Sequence, residues 1–162
     1  MKPLFQTLKQ NHYSSSYQQG ERVSEEDLFS EMGIDFQALK KQNALYANTC
    51  AARMSLALLK SGTPISGRLK IKAGKYKDRY IEPGAKLLAD QISKPTMLGK
   101  PEVYSSNEFL SKVKNRKGVV LFRKVSGGSA DHIDLIEPIN SMQVCHSSCY
   151  FQSKEIWFWE LK

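Results

Sequence analysis

Asn48-Thr49-Cys50-Ala51-Ala52-Arg53-Met54-Ser55-Leu56-Ala57-Leu58-Leu59 reads as the opening of a helix with a cysteine in its first turn. Asn48 and Thr49 are both suited to an N-cap, because a short side-chain oxygen can take a free N–H of the first turn. Met54, Ala57 and Leu58 recur at helical spacing and mark one buried stripe. Lys60-Ser61-Gly62-Thr63-Pro64 then stops the helix with a glycine and a proline. The first turn of a helix presents unpaired N–H groups and a partial positive charge. A thiol placed there ionises more readily, and the thiolate is the nucleophile. A neighbouring amide can also hold a developing oxyanion. A cysteine in an apolar helix is equally well a small core residue. Its chemistry therefore depends on a base supplied from elsewhere in the chain.

His132 is the candidate base. It stands in Asp131-His132-Ile133-Asp134-Leu135-Ile136-Glu137, just after the loop Ser126-Gly127-Gly128-Ser129. Ile133 and Leu135 alternate with His132 and Asp134, the period-two pattern of a strand. A cysteine and an imidazole form a hydrolytic pair: the ring takes the thiol proton and later protonates the leaving amine. A third polar group normally fixes the tautomer of the ring. Asp134 lies on the same strand face as His132. At two residues' separation it can line a cleft instead of orienting the ring. Without a thiol beside it, His132 would be a satisfied core histidine.

Outward from these residues, helices come first and strands last. Ser24-Glu25-Glu26-Asp27 caps a short helix that runs to Met32 and stops at Gly33, and residues 35–41 form a second short helix or turn. Ile65 to Ile81 alternates in part between apolar and basic residues, an exposed two-stranded or looped insert with one basic face. Helices are expected over Ala85–Ile92 and Ser106–Val113, and strands over Val119–Val125, Asp131–Glu137, Gln143–Phe151 and Ile156–Trp159. Trp157 and Trp159 are expected in the core and sheet edge. The fold class is α+β, with N-terminal helices packed on a C-terminal antiparallel sheet. The 162 residues suit one domain, 1–162, with no internal repeat and no linker.

Composition narrows the partners. Hydrophobic residues make up 41% and charged residues 25%, which excludes a disordered chain. No apolar run approaches membrane-spanning length, so no membrane insertion is expected. The N-terminal residues lack the apolar core of a secretory signal, so any export is expected to use another route. The net charge of +8 favours an anionic partner such as nucleic acid, a membrane surface or a wall polymer. The basic residues are spread over 60–124 without an Arg-rich helix or a paired aromatic RNA-binding motif, so nucleic acid is not expected. Cys145, His146 and Cys149 lack a second ligand cluster, so no metal site and no cofactor are implied. Cys145 and Cys149 suit either a local disulfide in an oxidising space or two free thiols.

Taken together, Asn48-Thr49-Cys50-Ala51-Ala52-Arg53-Met54-Ser55, Ser126-Gly127-Gly128-Ser129-Ala130-Asp131-His132-Ile133-Asp134-Leu135 and Ile156-Trp157-Phe158-Trp159 resemble the type VI secretion amidase effectors of the group-four branch. The resemblance runs from about Leu45 to the end of the chain. It implies a papain-like NlpC/P60-type fold and a peptidoglycan amidase that cuts stem peptides between D-glutamate and meso-diaminopimelate. It also implies a secretion-machine carrier, action in the periplasm of a target bacterium and a cognate immunity protein. Cys50 matches the family nucleophile and His132 the family base. The family's third residue is an Asp about a dozen residues past the His, between two close cysteines. Here Cys145-His146-Ser147-Ser148-Cys149 carries no acid. Ser147 takes the third position if the cysteines are the anchor, and Gln143 takes it if spacing from His132 is; His146 is nearby. The cysteine pair fits a periplasmic place of action, where a disulfide would hold that segment beside the site. The competing readings are a basic, non-catalytic module that binds an anionic polymer, and a papain-like transferase.

Overall fold

The computed structural model describes residues 2–13, 23–125, 131–141, 144 and 148–162. Seven α-helices and six strands are present among them: α1 (Phe5–Asn11), α2 (Glu25–Glu31), α3 (Phe36–Gln42), α4 (Cys50–Lys60), β1 (Leu69–Lys70), β2 (Tyr80–Ile81), α5 (Ala85–Ile92), β3 (Glu102–Tyr104), α6 (Phe109–Lys112), β4 (Gly118–Arg123), β5 (His132–Ile136), α7 (Ser148–Gln152) and β6 (Glu155–Glu160). A 3₁₀ turn, Ala44–Ala47, leads into α4. The strands make an antiparallel sheet in the order β3-β6-β4-β5, and β1 and β2 pair separately.

Local sequence accounts for the elements around α4. Ser24 accepts the N–H of Asp27, and Glu25, Glu26 and Asp27 fill the positive first turn of α2. The helix ends at Met32, before Gly33 at φ +71°, where Ala73 packs against the glycine too closely to admit a Cβ. Asp35 caps α3 through Ala38 N–H.

The expected single buried stripe on α4 is an underestimate. Residues from Cys50 to Leu59 are buried on every side of the helix. Cys50, Ala51, Met54, Ala57 and Leu58 pack with Val119, Leu121, Ile133, Leu135 and Trp159 of the sheet. Ala52, Leu56 and Leu59 pack with Leu28, Phe29, Phe36, Leu39, Ile71 and Ile81. The pair α2–α3 and the β1–β2 hairpin thus cover the face that would otherwise meet water. A fully buried Leu or Met side chain contributes roughly 1.5–3 kcal/mol, so α4 is fixed firmly from both sides. A third apolar cluster lies around Phe109, Phe122, Tyr150 and Phe158.

Two expectations need correction. Residues 148–152 form α7 where a strand over Gln143–Phe151 was expected. Tyr150 and Phe151 have strand-forming side chains, but Tyr150 is buried by stacking on Phe109 and meeting Phe122 edge-on, and that packing decides the conformation. The helix expected over Ser106–Val113 is the shorter α6. The N-terminal segment contains α1, which buries Phe5 and Leu8 and packs along α4. The expected two-stranded insert is present as β1–β2, with Leu69 opposite Ile81 and Lys70 opposite Tyr80. Trp159 is buried in the core, with its indole N–H donating to Gly99 O at 2.9 Å, and Trp157 is partly buried against it.

Candidate active site

Cys50 opens α4, and His132 opens β5. Asp131 joins the two starts. Its carbonyl accepts the Asn48 side-chain amide at 3.3 Å and faces the Cys50 thiol at 3.9 Å. Its carboxylate accepts from Arg123 Nε at 3.2 Å and from the Lys124 N–H at 2.9 Å. Arg123 ends β4, so the central strand of the sheet holds the junction in place. The capping at Cys50 divides the work between Asn48 and Thr49. Thr49 occupies the N-cap position, but its hydroxyl accepts Arg53 Nε at 3.0 Å. Asn48 takes the Cys50 N–H, at 3.4 Å.

The Cys50 thiol lies near enough to the ring of His132 to raise its pKa. On the other side of the ring, His132 Nε2 lies 3.0 Å from Asp134 Oδ2. The ring stacks on Phe122, its cross-strand neighbour, at 6.2 Å between centroids. Asp134 is held in turn, because its Oδ1 accepts the Leu135 N–H at 2.8 Å. Burial disfavours the charged form of His132, but the hydrogen bond that the ring donates to Asp134 and the nearby Cys50 outweigh it and push its pKa up to about 10. Burial likewise works against the Asp134 carboxylate, yet the bond to His132 and the charge of that ring hold its pKa below the ordinary carboxylate value. The charged imidazolium is therefore the form that this site favours at neutral pH.

Arg53, one turn past Cys50, points away from the reacting atoms. It donates to Thr49 Oγ1, Val23 O and Tyr13 O and reaches Glu25 at 3.7 Å. It ties the helix to neighbouring carbonyls and a carboxylate.

Cys50 and Asp131 line a cleft of about 520 Å³ with Tyr46, Arg68, Lys86 and Leu87. The basic insert thus reaches the site through Arg68.

Ser147, Gln143 and His146, the other candidates for the third position, lie outside the described residues, as do Cys145 and the glycine loop 126–129. Cys149 is buried and disulfide-bonded, whereas Cys50 is a free thiol. No group of metal-binding side chains occurs among the described residues.

His12 is a residue that the sequence did not single out. It follows α1 and shares with Asp134 a cavity of about 370 Å³ on the side away from Cys50. Burial lowers its pKa; the charge of Asp134 opposes the shift, and those of Arg53 and His132 add to it. The signal was available, since Phe5, Leu8 and His12 fall at helical spacing on one face.

A cysteine at a buried helix start, set near a histidine at the head of an antiparallel sheet, defines an α+β class of protein that pairs a thiol with an imidazole. Within that class, the family model described as type VI secretion system amidase effector protein 4 matches residues 46–159, and the chain belongs to that family. No curated protein sequence matches the chain. Among solved structures, the effector Tae4 from Salmonella typhimurium in complex with the immunity protein Tai4 from Enterobacter cloacae is similar at a TM-score of 0.64 and 16% identity, over 99% of each chain. The effector Tae4 from Enterobacter cloacae is similar at a TM-score of 0.59 and 19% identity, over 100% of this chain and 98% of that one. At these identities the likeness is one of fold. Among the described residues, no helix is long and apolar enough to cross a membrane.

Proposed function

We propose that this amidase effector is a cysteine DL-endopeptidase of bacterial peptidoglycan, cutting stem peptides between D-glutamate and meso-diaminopimelate. The observation that carries the reading is the meeting of the two starts: the Cys50 thiol faces Asp131 O at 3.9 Å, and the next residue, His132, has its Nε2 3.0 Å from Asp134 Oδ2. Cys50 is the nucleophile, His132 the base and then the acid, and Asp134 the group that orients the ring. Ser147 remains the family-aligned alternative for that third role.

The sulfur attacks the amide carbon as a thiolate, its proton held by His132. The tetrahedral oxyanion forms beside the start of α4. There, among the described residues, the Cys50 N–H has only the long contact to Asn48, which leaves it available to the oxyanion. The C–N bond breaks as the imidazolium protonates the leaving amine, leaving a thioester. Water gives a proton to His132 and attacks the thioester; the carboxylate product leaves and the thiol is restored. Asp134 keeps Nε2 engaged throughout, so that Nδ1 faces the reacting atoms.

Family membership supports delivery by a type VI machine into the periplasm of a rival. The effector–immunity complexes among the similar structures support a cognate immunity protein for this chain.

The test is digestion of Gram-negative peptidoglycan by the parent and by Cys50→Ala, with fragments read by mass spectrometry. New stems ending in D-glutamate from the parent alone support the assignment. Intact stems with both folded proteins refute it and favour a basic module that binds the wall polymer. A product bearing a new acyl acceptor in place of water would favour the transferase.

A further inference from the structure

Arg68 stands one residue before β1, and Glu82 one residue after β2. The register that pairs Leu69 with Ile81 therefore sets the two across from each other. Arg68 Nε and Nη2 bind the two oxygens of Glu82 at 3.0 and 2.8 Å, a two-point fork. The arginine side chain is 60% exposed and the glutamate 5%. Such an exposed arginine usually wanders. Here the carboxylate is fixed from behind. Glu82 Oε2 also accepts the Gly84 N–H at 2.6 Å. The Glu82 backbone is bonded twice to the Ser55 hydroxyl, its carbonyl accepting at 3.0 Å and its N–H donating at 3.1 Å. Ser55 belongs to α4, so the mount of Arg68 is anchored on the helix that carries Cys50. Gly84 makes room for the fork: a Cβ there would come within 2.8 Å of Arg68 Nη2 and 2.9 Å of Glu82 Oε2.

The cleft that holds Cys50 presents a second cation, but that one is already engaged. Lys86 Nζ binds both oxygens of Asp90, at 2.6 and 2.7 Å. The acid of the cleft, Asp131, is bound to Arg123. Arg68 is different. Its Nη1 has no hydrogen-bond partner among the described residues, while its other two nitrogens are held rigid. It is a pre-aimed donor in the nucleophile's cleft. A peptide joined through the γ-carboxyl of D-glutamate keeps its α-carboxylate free, and this is the anion nearest the scissile carbonyl. We propose that Arg68 is a specificity-determining residue that binds this α-carboxylate on the acyl side of the scissile bond. The assignment rests on the amidase reading above.

The test compares synthetic tetrapeptide stems with D-isoglutamate, with D-isoglutamine, and with the diaminopimelate carboxylate amidated instead. Amidating D-glutamate should lower the parent's kcat/KM by about tenfold or more, chiefly through KM, since a hydrogen bond to a charged group is worth about 1.5–3 kcal/mol. Arg68→Gln alone would strand a buried carboxylate. The double variant Arg68→Gln/Glu82→Gln avoids that, and circular dichroism checks its fold. It should cleave the isoglutamate and isoglutamine stems alike. The proposal is overturned if the parent cleaves those two equally, if the double variant keeps the parent's preference, or if the loss follows the diaminopimelate amide. A parent that cleaves none of the stems overturns the amidase reading together with it; cleavage without discrimination overturns only this inference.

Discussion

Asp134 Oδ2 lies 3.0 Å from His132 Nε2, although the two residues are only two positions apart on one strand. Side chains at that spacing share a face and stand side by side. The Leu135 N–H pins the other carboxylate oxygen and so holds Oδ2 toward the ring. A chain with no acid between Cys145 and Cys149 thus has an acid on the ring by another route. Replacing Asp134 by Asn keeps the shape but removes the charge and lets the ring take the wrong tautomer. Asp134→Asn should lower kcat on stem peptides by about 10²-fold or more with little change in KM, comparable to the loss of a positioned acid–base function. A variant that turns over like the parent would return the role to the segment around Ser147.

The same pairing sets a pH signature. The His132 pKa is raised to about 10 in the folded protein, against an ordinary value of 6.5. A group of this kind stabilises the fold fully below its unfolded pKa, and the contribution is lost as pH rises through the folded one. The difference in unfolding free energy between the parent and His132→Gln should therefore shrink from pH 6 to pH 10. Ring-nitrogen NMR should find His132 charged at pH 8 in the parent. Its pKa should fall in Cys50→Ala, which removes one of the two groups that raise it. A ring that titrates near its ordinary value in the parent would contradict both expectations.

The places of Cys50 and His132 in the fold were legible because sequence marks both well, a capped helix start and the head of an alternating strand. The Asp134–His132 bond was legible only as a shared face, since spacing does not say whether two side chains lean together. Residues 148–152 misled because Tyr150 favours a strand in isolation, whereas its partners Phe109 and Phe122 are distant in sequence. The all-round burial of α4 had one visible sign, the near absence of charge between Cys50 and Leu59. What covers the second face, α2–α3 and β1–β2, is settled by tertiary packing alone.

Arg53 is the single charge in that span, and its role is mechanical. Its guanidinium gathers the carbonyls of Tyr13 and Val23 and the hydroxyl of Thr49 at the first turn of α4. Arg53→Met would keep most of the volume and strand those acceptors in a buried place. The expected cost is about 3 kcal/mol, in the range for breaking a buried charged network. Urea unfolding measures it. A midpoint equal to the parent's would mean that the first turn holds without this anchor.

His12 closes the line of titrating groups on the far side of Asp134. Its surroundings are mixed: Asp134 and His132 on β5, Arg53 on α4, and Lys9 and Glu137 around the same cavity. Burial dominates and lowers its pKa, so the neutral ring is the form that the fold accepts. A depressed pKa gives stability that is present above the unfolded value, about 6.5, and lost as pH falls through the folded one. Acid should therefore load a further positive charge next to those of His132 and Arg53. His12→Gln keeps a polar side chain and cannot take that charge. Thermal unfolding followed from pH 7 to pH 4.5 should fall less steeply in His12→Gln than in the parent. Turnover at pH 7 should drop only a fewfold, because His12 faces Asp134 and not the thiol. Parallel acid limbs in the two proteins would show that His12 charges freely, with its ring turned to solvent.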